Sequence, residues 1–242
     1  MSTAFVIDGA YFLRRFARTF PHYPANDAKA VAFGLQWLTF WHLSQRNRVS
    51  PPAMQAAIDQ GLRLEEGPDL YRIFFYDCPP LEKKLHYPIS KGALDLSRTS
   101  TAVFRKAIHL ELRKIRKMAM RFGRLNEDFS WRLKAESLKR LLKDPSAFQP
   151  RDEDFELDVK QKGVDMRLGL DVASLAFKRQ VDQIIMVAAD GDFVPAAKLA
   201  RREGIDVVLD PLGGPAARDL IEHVDGVRPC AGGNARMPFH LS

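Results

Sequence analysis

Two aspartates stand two residues apart in Ala188–Phe193 (AADGDF), separated only by Gly191. Carboxylates this close repel when both are ionised, so a proton or a cation must offset them. The pair reads either as part of a cation site or as plain turn chemistry, with Asp192 capping the next helix and Asp190 ending the turn. Two further junctions have the same make-up. Ala4-Phe5-Val6-Ile7 runs apolar into Asp8-Gly9, and Lys162-Gly163-Val164-Asp165 puts a carboxylate at a helix start. Together Asp8, Asp165, Asp190 and Asp192 form an all-oxygen donor set suited to Mg²⁺ or Mn²⁺, and no Cys/His set at ligand spacing competes for zinc. Such an ion polarises a phosphodiester oxygen and lowers the pKa of a bound water, and a pair of ions about 3.5–4 Å apart also stabilises the leaving oxygen. No side-chain nucleophile is then needed, and no Ser-His-Asp or Cys-His signature occurs in context.

The elements that must position these groups are legible as βα units. Gln183–Val187 (QIIMV) and Ile205–Leu209 (IDVVL) have strand length and β-branched content, with helical-period segments before and after the first. The turn after Val187 then lies at the carboxyl edge of a buried strand, where open α/β sheets bind ligands. Pro195 suits the first turn of the following helix. Ala10–Phe20 reads as a helix stopped by Pro21 and Pro24. Ala28–Ser44 reads as a second helix, with Trp37, Phe40 and Trp41 in the core, and Leu70–Tyr76 as a strand. Asp77 at its end is a turn former or an outer member of the acidic site.

In this order the motifs resemble the NYN family of PIN-like nucleases, in particular its bacterial LabA-like branch. The resemblance rests on Asp8-Gly9, Lys162-Gly163-Val164-Asp165, Asp190-Gly191-Asp192-Phe193 and Gly204 before the last strand, and covers roughly residues 1–20, 70–78 and 155–228. It implies a PIN-like three-layer α/β/α sandwich with a central, mainly parallel sheet, and a metal-dependent ribonuclease that uses Mg²⁺ or Mn²⁺ to hydrolyse RNA to 5′-phosphate ends. Asp8, Asp165, Asp190 and Asp192 are then both ligands and catalytic groups. Lys162, and with less support Lys160, would hold a phosphate near the metal, or would be exposed lysines without a role. Two positions depart from the family pattern: Tyr11 stands where an asparagine is common, and Ala188-Ala189 where Ser-Gly is. Both remove polar groups near the site, and such losses commonly cost about 10–100-fold in activity.

The reading is of one domain over residues 1–228, with a helical, basic insertion at about 81–150 and a flexible tail at 229–242. Within the insertion, Ala102–Phe122 reads as one helix and Asn126–Lys143 as another; beyond it, Phe155–Val159 reads as a strand. The first is strongly basic. Arg113, Lys114, Arg116 and Lys117 either form a solvated face or, if they lie along the approach to the acidic edge, hold the phosphate backbone. A net charge of +7 fits a polyanionic partner. The chain has no apolar run of membrane-spanning length and no leader, and Cys78 and Cys230 lie far apart, so the expected setting is the cytoplasm, with both thiols unpaired. A homo-oligomer and a protein partner are both compatible with this sequence. A haloacid-dehalogenase-like phosphatase needs a second aspartate two residues after Asp8, where Ala10 stands, and an RNA- or protein-binding module would keep the fold with a degenerate site.

Overall fold

The computed structural model describes residues 2–46, 69–126 and 130–230, with Ala53 and Ala56. Residues 47–52 and the tail expected beyond 230 lie outside the described residues. The chain forms β1 (Thr3–Asp8), α1 (Gly9–Thr19), α2 (Ala28–Arg46), β2 (Leu70–Asp77), β3 (Lys84–His86), β4 (Ala93–Asp95) and α3 (Ser100–Lys114). It continues as β5 (Met118–Phe122), β6 (Arg124–Leu125), β7 (Trp131–Leu133), α4 (Ala135–Lys143), β8 (Phe155–Leu157), β9 (Gln161–Lys162) and α5 (Val164–Phe177). The last elements are β10 (Gln183–Val187), α6 (Val194–Arg202), β11 (Asp206–Asp210), α7 (Arg218–Glu222) and β12 (Gly226–Val227).

Six strands make one sheet in the order β12-β11-β10-β1-β2-β5, every pair parallel. Period-2 alternation assigns its two faces. Phe5, Ile7, Ile73, Phe75, Ile185 and Val187 pack under α1, α2 and α3, while Ala4, Val6, Phe74, Tyr76, Ile184 and Met186 pack under α5, α6 and α7. This is the expected three-layer α/β/α sandwich. Phe5, Phe12, Phe16 and Phe75 have no exposed surface, and truncating any one to alanine should cost about 3–5 kcal/mol. Trp37 and Trp41 are buried as expected, Phe40 packs partly buried against the same core, and both cysteines are free and buried.

The strand order turns back at β1: the chain moves outward through β2 and β5, then returns to β10 on the other side of β1. That reversal opens a crevice beyond the carboxyl ends of β1 and β10, the standard ligand position in such sheets.

Residues 81–157 differ most from their sequence reading. The basic segment is a helix only to Lys114; Lys117 then takes a left-handed backbone with φ 63°, and Met118–Phe122 joins β2 as the sheet's edge strand. Arginines and lysines at helical spacing run through the whole stretch and hide the alternation of MAMRF. Likewise Trp131–Leu133 is strand, and the second expected helix begins only at Ala135. Phe155–Leu157 pairs antiparallel with β7 rather than joining the main sheet, one of three small two-stranded pairs, with β3–β4 and β6–β9.

Candidate active site

Asp8 is the last residue of β1 and the N-cap of α1, its Oδ1 accepting from the Tyr11 amide at 3.1 Å. The same side chain thus satisfies an orphan helix donor and stands at the mouth of the crevice. Burial pushes its pKa up, opposed by the Tyr11 amide and the Arg14 charge, while the Asp165 charge adds to the rise.

Asp190 follows β10 and caps a short 3₁₀ turn, Gly191–Phe193, by accepting from the Asp192 amide at 3.2 Å. The turn role expected for Asp190 is therefore present, but the capping role expected for Asp192 is not: α6 has Phe193 at its N-cap with no side-chain cap, and Pro195 in its first turn. Both carboxylates are exposed.

Asp165 lies in the first turn of α5, a position that the helix dipole favours for an anion. Gly163 makes that turn possible with a left-handed φ of 78°. Burial raises the Asp165 pKa, and the charges of Asp192 and Asp190 raise it further. Asp165 therefore senses the charges of both members of the pair, and Asp8 senses that of Asp165, so these carboxylates lie within electrostatic reach of one another.

A fifth carboxylate escaped the sequence reading. A β-carbon placed on Gly191 would lie 3.3 and 3.4 Å from the two carboxylate oxygens of Asp219 in α7, so Asp219 stands directly across the Asp190–Asp192 turn. Its signal, a short helix after the Asp210–Ala217 loop, gives no hint in sequence that it folds back over β10. Its exposed side chain joins the same edge.

Among the described residues none of Asp8, Asp165, Asp190, Asp192 and Asp219 is in an ion pair, and no three His, Cys, Asp or Glu side chains form a ready-made metal-ligating group. The donor set nonetheless fits a hard cation that keeps part of its water shell: every donor is a carboxylate, and their mutual repulsion is of the kind that a bound cation relieves.

The remaining expected site residues separate. Lys162 lies in β9, exposed, three residues before Asp165 and paired in register with Arg124 of β6. Arg113, Lys114, Arg116 and Lys117 lie at the turn from α3 into β5. The Lys117 ammonium donates to the Leu70 carbonyl at the start of β2, which places this turn at the amino edge of the sheet, opposite the acids. Lys114 pairs with Glu111 at 2.7 Å, and Arg113 sits 5.5 Å over the Phe122 ring. Asp77 is fully buried in a hydrogen-bonded pair with Arg105 and accepts from His109 Nε2 at 2.8 Å, so it is neither a turn former nor a free member of the site. Tyr11, in the place of the common asparagine, donates from its hydroxyl to the Pro211 carbonyl at 2.6 Å and ties α1 to the loop after β11.

A six-stranded parallel sheet with helices on both faces, and aspartates after its central strands β1 and β10, defines a PIN-like α/β/α domain. Residues 106–228, just over half of the chain, match the model of the NYN domain, and the chain belongs to the NYN family of PIN-like nucleases. The matched span holds Asp165, Asp190, Asp192 and Asp219 and begins after Asp8. The chain is also similar to a solved structure, a protein of unknown function from Vibrio parahaemolyticus, at 13% identity and a TM-score of 0.45, over 93% of this chain and 90% of that one. No curated protein matches it. No helix among the described residues is long and apolar enough to cross a membrane.

Proposed function

We propose that this protein is a metal-dependent ribonuclease that hydrolyses RNA phosphodiester bonds at the edge formed by Asp8, Asp165, Asp190 and Asp192, with Asp219 beside them. The observation that supports this reading is that these acids, at the end of β1, the start of α5 and the turn after β10, act on one another electrostatically and, among the described residues, none is in an ion pair. Mg²⁺ or Mn²⁺ bound there would polarise the phosphate and activate a water. The protein's own part is positional. Asp8 and Asp190 are fixed by the backbone amides they cap and Asp165 by the first turn of α5, and Lys162, exposed three residues before Asp165, would hold a neighbouring phosphate. Because the fold supplies the cation's ligands in advance, the chemistry needs no residue to serve as a covalent nucleophile.

A second reading, a binding module with a degenerate site, is favoured by Ala188-Ala189 and by the lack of a closed ligand group among the described residues. End-labelled single-stranded and structured RNA incubated with purified protein separates the two. The ribonuclease cuts with Mn²⁺, stops in chelator, and leaves 5′-phosphate ends. A binding module retains RNA in chelator and cuts in neither.

A further inference from the structure

Beside the acidic edge lies a groove made largely by the insertion. After Asp77 the chain runs through Cys78, Pro79 and Pro80 past the start of α3, facing β6, β8 and β9 across a space of ≈ 370 Å³. That volume falls at the lower end of the roughly 300–1,000 Å³ found for small-ligand sites. Leu96, Leu125, Leu157 and Val159 give it an apolar lining, and the polar groups Arg105, Thr101 and Gln161 border it.

Arg105 decides what such a groove can take. Its guanidinium is held by the fully buried Asp77 carboxylate, so its charge is already met and it is a poor trap for a free phosphate. The same contact anchors the guanidinium at Nη1, and Arg105 lines the groove with about a fifth of its side chain (22%) exposed; a guanidinium is a flat group of the kind on which a base stacks. Gln161 carries both a donor and an acceptor, as reading a base edge requires.

Location supplies the second half of the argument. Gln161 directly precedes Lys162. A β-carbon on Gly123 would lie 2.6 Å from Val164 Cγ2, 2.8 Å from the Lys162 carbonyl oxygen and 3.1 Å from Cys78 Sγ, so the groove wall at Cys78 packs, through Gly123, against the start of α5. Asp165 is the next residue along. Arg124 and Lys162, paired in register and both exposed, flank this passage and give it a charge that suits a polyanionic chain.

We propose that this groove holds one nucleobase of the RNA strand whose phosphate lies at the acidic edge, stacked on the Asp77-clamped Arg105 and read at its edge by Gln161. The inference rests on the ribonuclease reading for its substrate but is testable apart from it. A set of short RNA oligonucleotides, each lacking the base at one position, is titrated by anisotropy in EDTA against wild type, Thr101→Trp, which fills the groove from an exposed position, and Gln161→Ala, which alters no core contact. In wild type, one abasic position should weaken binding about tenfold, since stacking contributes about 1–3 kcal/mol per base. Thr101→Trp should weaken the intact oligonucleotide to that same level and erase the difference between positions, and Gln161→Ala should weaken it about threefold, both with unchanged melting. Equal affinity at every abasic position in wild type, or a positional profile unchanged in both variants, overturns the proposal and leaves the groove to a protein side chain. A positional profile in a protein that cuts no RNA with Mn²⁺ sinks the ribonuclease reading and leaves the groove standing.

Discussion

Four neighbouring strands, β11, β10, β1 and β2, end at or just before an aspartate, and the two central acids are treated differently from the two outer ones. The outer two, Asp210 and Asp77, have no exposed surface. Asp210 meets His42 Nε2 at 2.8 Å and accepts from the amides of Leu212 and Cys230; Asp77 meets Arg105 and His109. The central two, Asp8 and Asp190, stay at the crevice mouth with Asp165, Asp192 and Asp219, and among the described residues no ion pair closes on any of them. A buried carboxylate without a partner is too costly to keep, so the outer acids are matched and serve the fold. The central acids act on one another's charge and, among the described residues, have no ion pair, an arrangement that suits a cation rather than a stable core.

The largest expected effect breaks the centre alone. Asp190→Asn or Asp192→Asn should lower Mn²⁺-dependent RNA cleavage by at least about 100-fold, at or beyond the cost of losing a supporting group, while melting stays equal or rises as repulsion on Asp165 is relieved. Full activity with wild-type melting in Asp190→Asn would move the site elsewhere.

Truncating a flank should do the reverse. Asp77→Ala strands Arg105 and should cost about 3 kcal/mol in urea denaturation, the lower end for an opened buried pair because Arg105 keeps some solvent contact. A loss under about 1 kcal/mol would mean that the flank is not structural.

Acidity should separate the two flanks from each other. Burial lowers the His42 pKa below its ordinary 6.5 despite the hydrogen bond to Asp210, so His42 is neutral, donates from Nε2, and leaves Nδ1 as the unpartnered buried atom. The unfolded chain then binds the extra proton. Stability is complete above about 6.5 and falls as pH drops below it, by up to about 1.4 kcal/mol per pH unit. Asp77 behaves otherwise. Burial would raise its pKa, but the His109 bond and Arg105 outweigh that and hold it below 3.8, so its contribution is lost only as pH falls below the ordinary carboxylate value. Denaturation curves between pH 7 and 5 should show the first loss in wild type and not in His42→Gln; identical slopes in both would exclude His42 as its source.

The smallest effect belongs to the far edge. Arg113→Ser with Lys114→Ser should change cleavage less than about twofold, since both residues sit at the amino edge of the sheet. A clear drop with a shallower salt dependence, by about 0.7 in log–log slope per lost contact, would show that the RNA wraps that far.

Sequence patterning made the centre legible and the flanks only in part. Gln183–Val187 reads as a strand from its apolar, β-branched run and is one, and the capped aspartate-glycine turns give away Asp8 and Asp190. Asp77 and Asp210 carry the same local signature, a strand running into an aspartate. What distinguishes them is the distant partner, Arg105 across 28 residues and His42 across 168, and no local pattern encodes that. Asp219 was hidden for the same reason. The edge strand Met118–Phe122 was hidden instead by charge: basic residues at helical spacing masked a short alternation that only pairing with β2 reveals.

The central claim is that the middle acids bind a cation and the flanking acids do not. Calorimetric titration of Mn²⁺ into wild type, Asp165→Asn, Asp190→Asn and His42→Gln tests it directly. Wild type and His42→Gln should bind with equal affinity, and binding should tighten as pH rises past the elevated pKa values of Asp8 and Asp165, because those carboxyls must lose their protons first. Asp165→Asn and Asp190→Asn should lose at least tenfold. Superimposable titrations for all four proteins, or no binding heat in wild type across this pH range, would contradict the account.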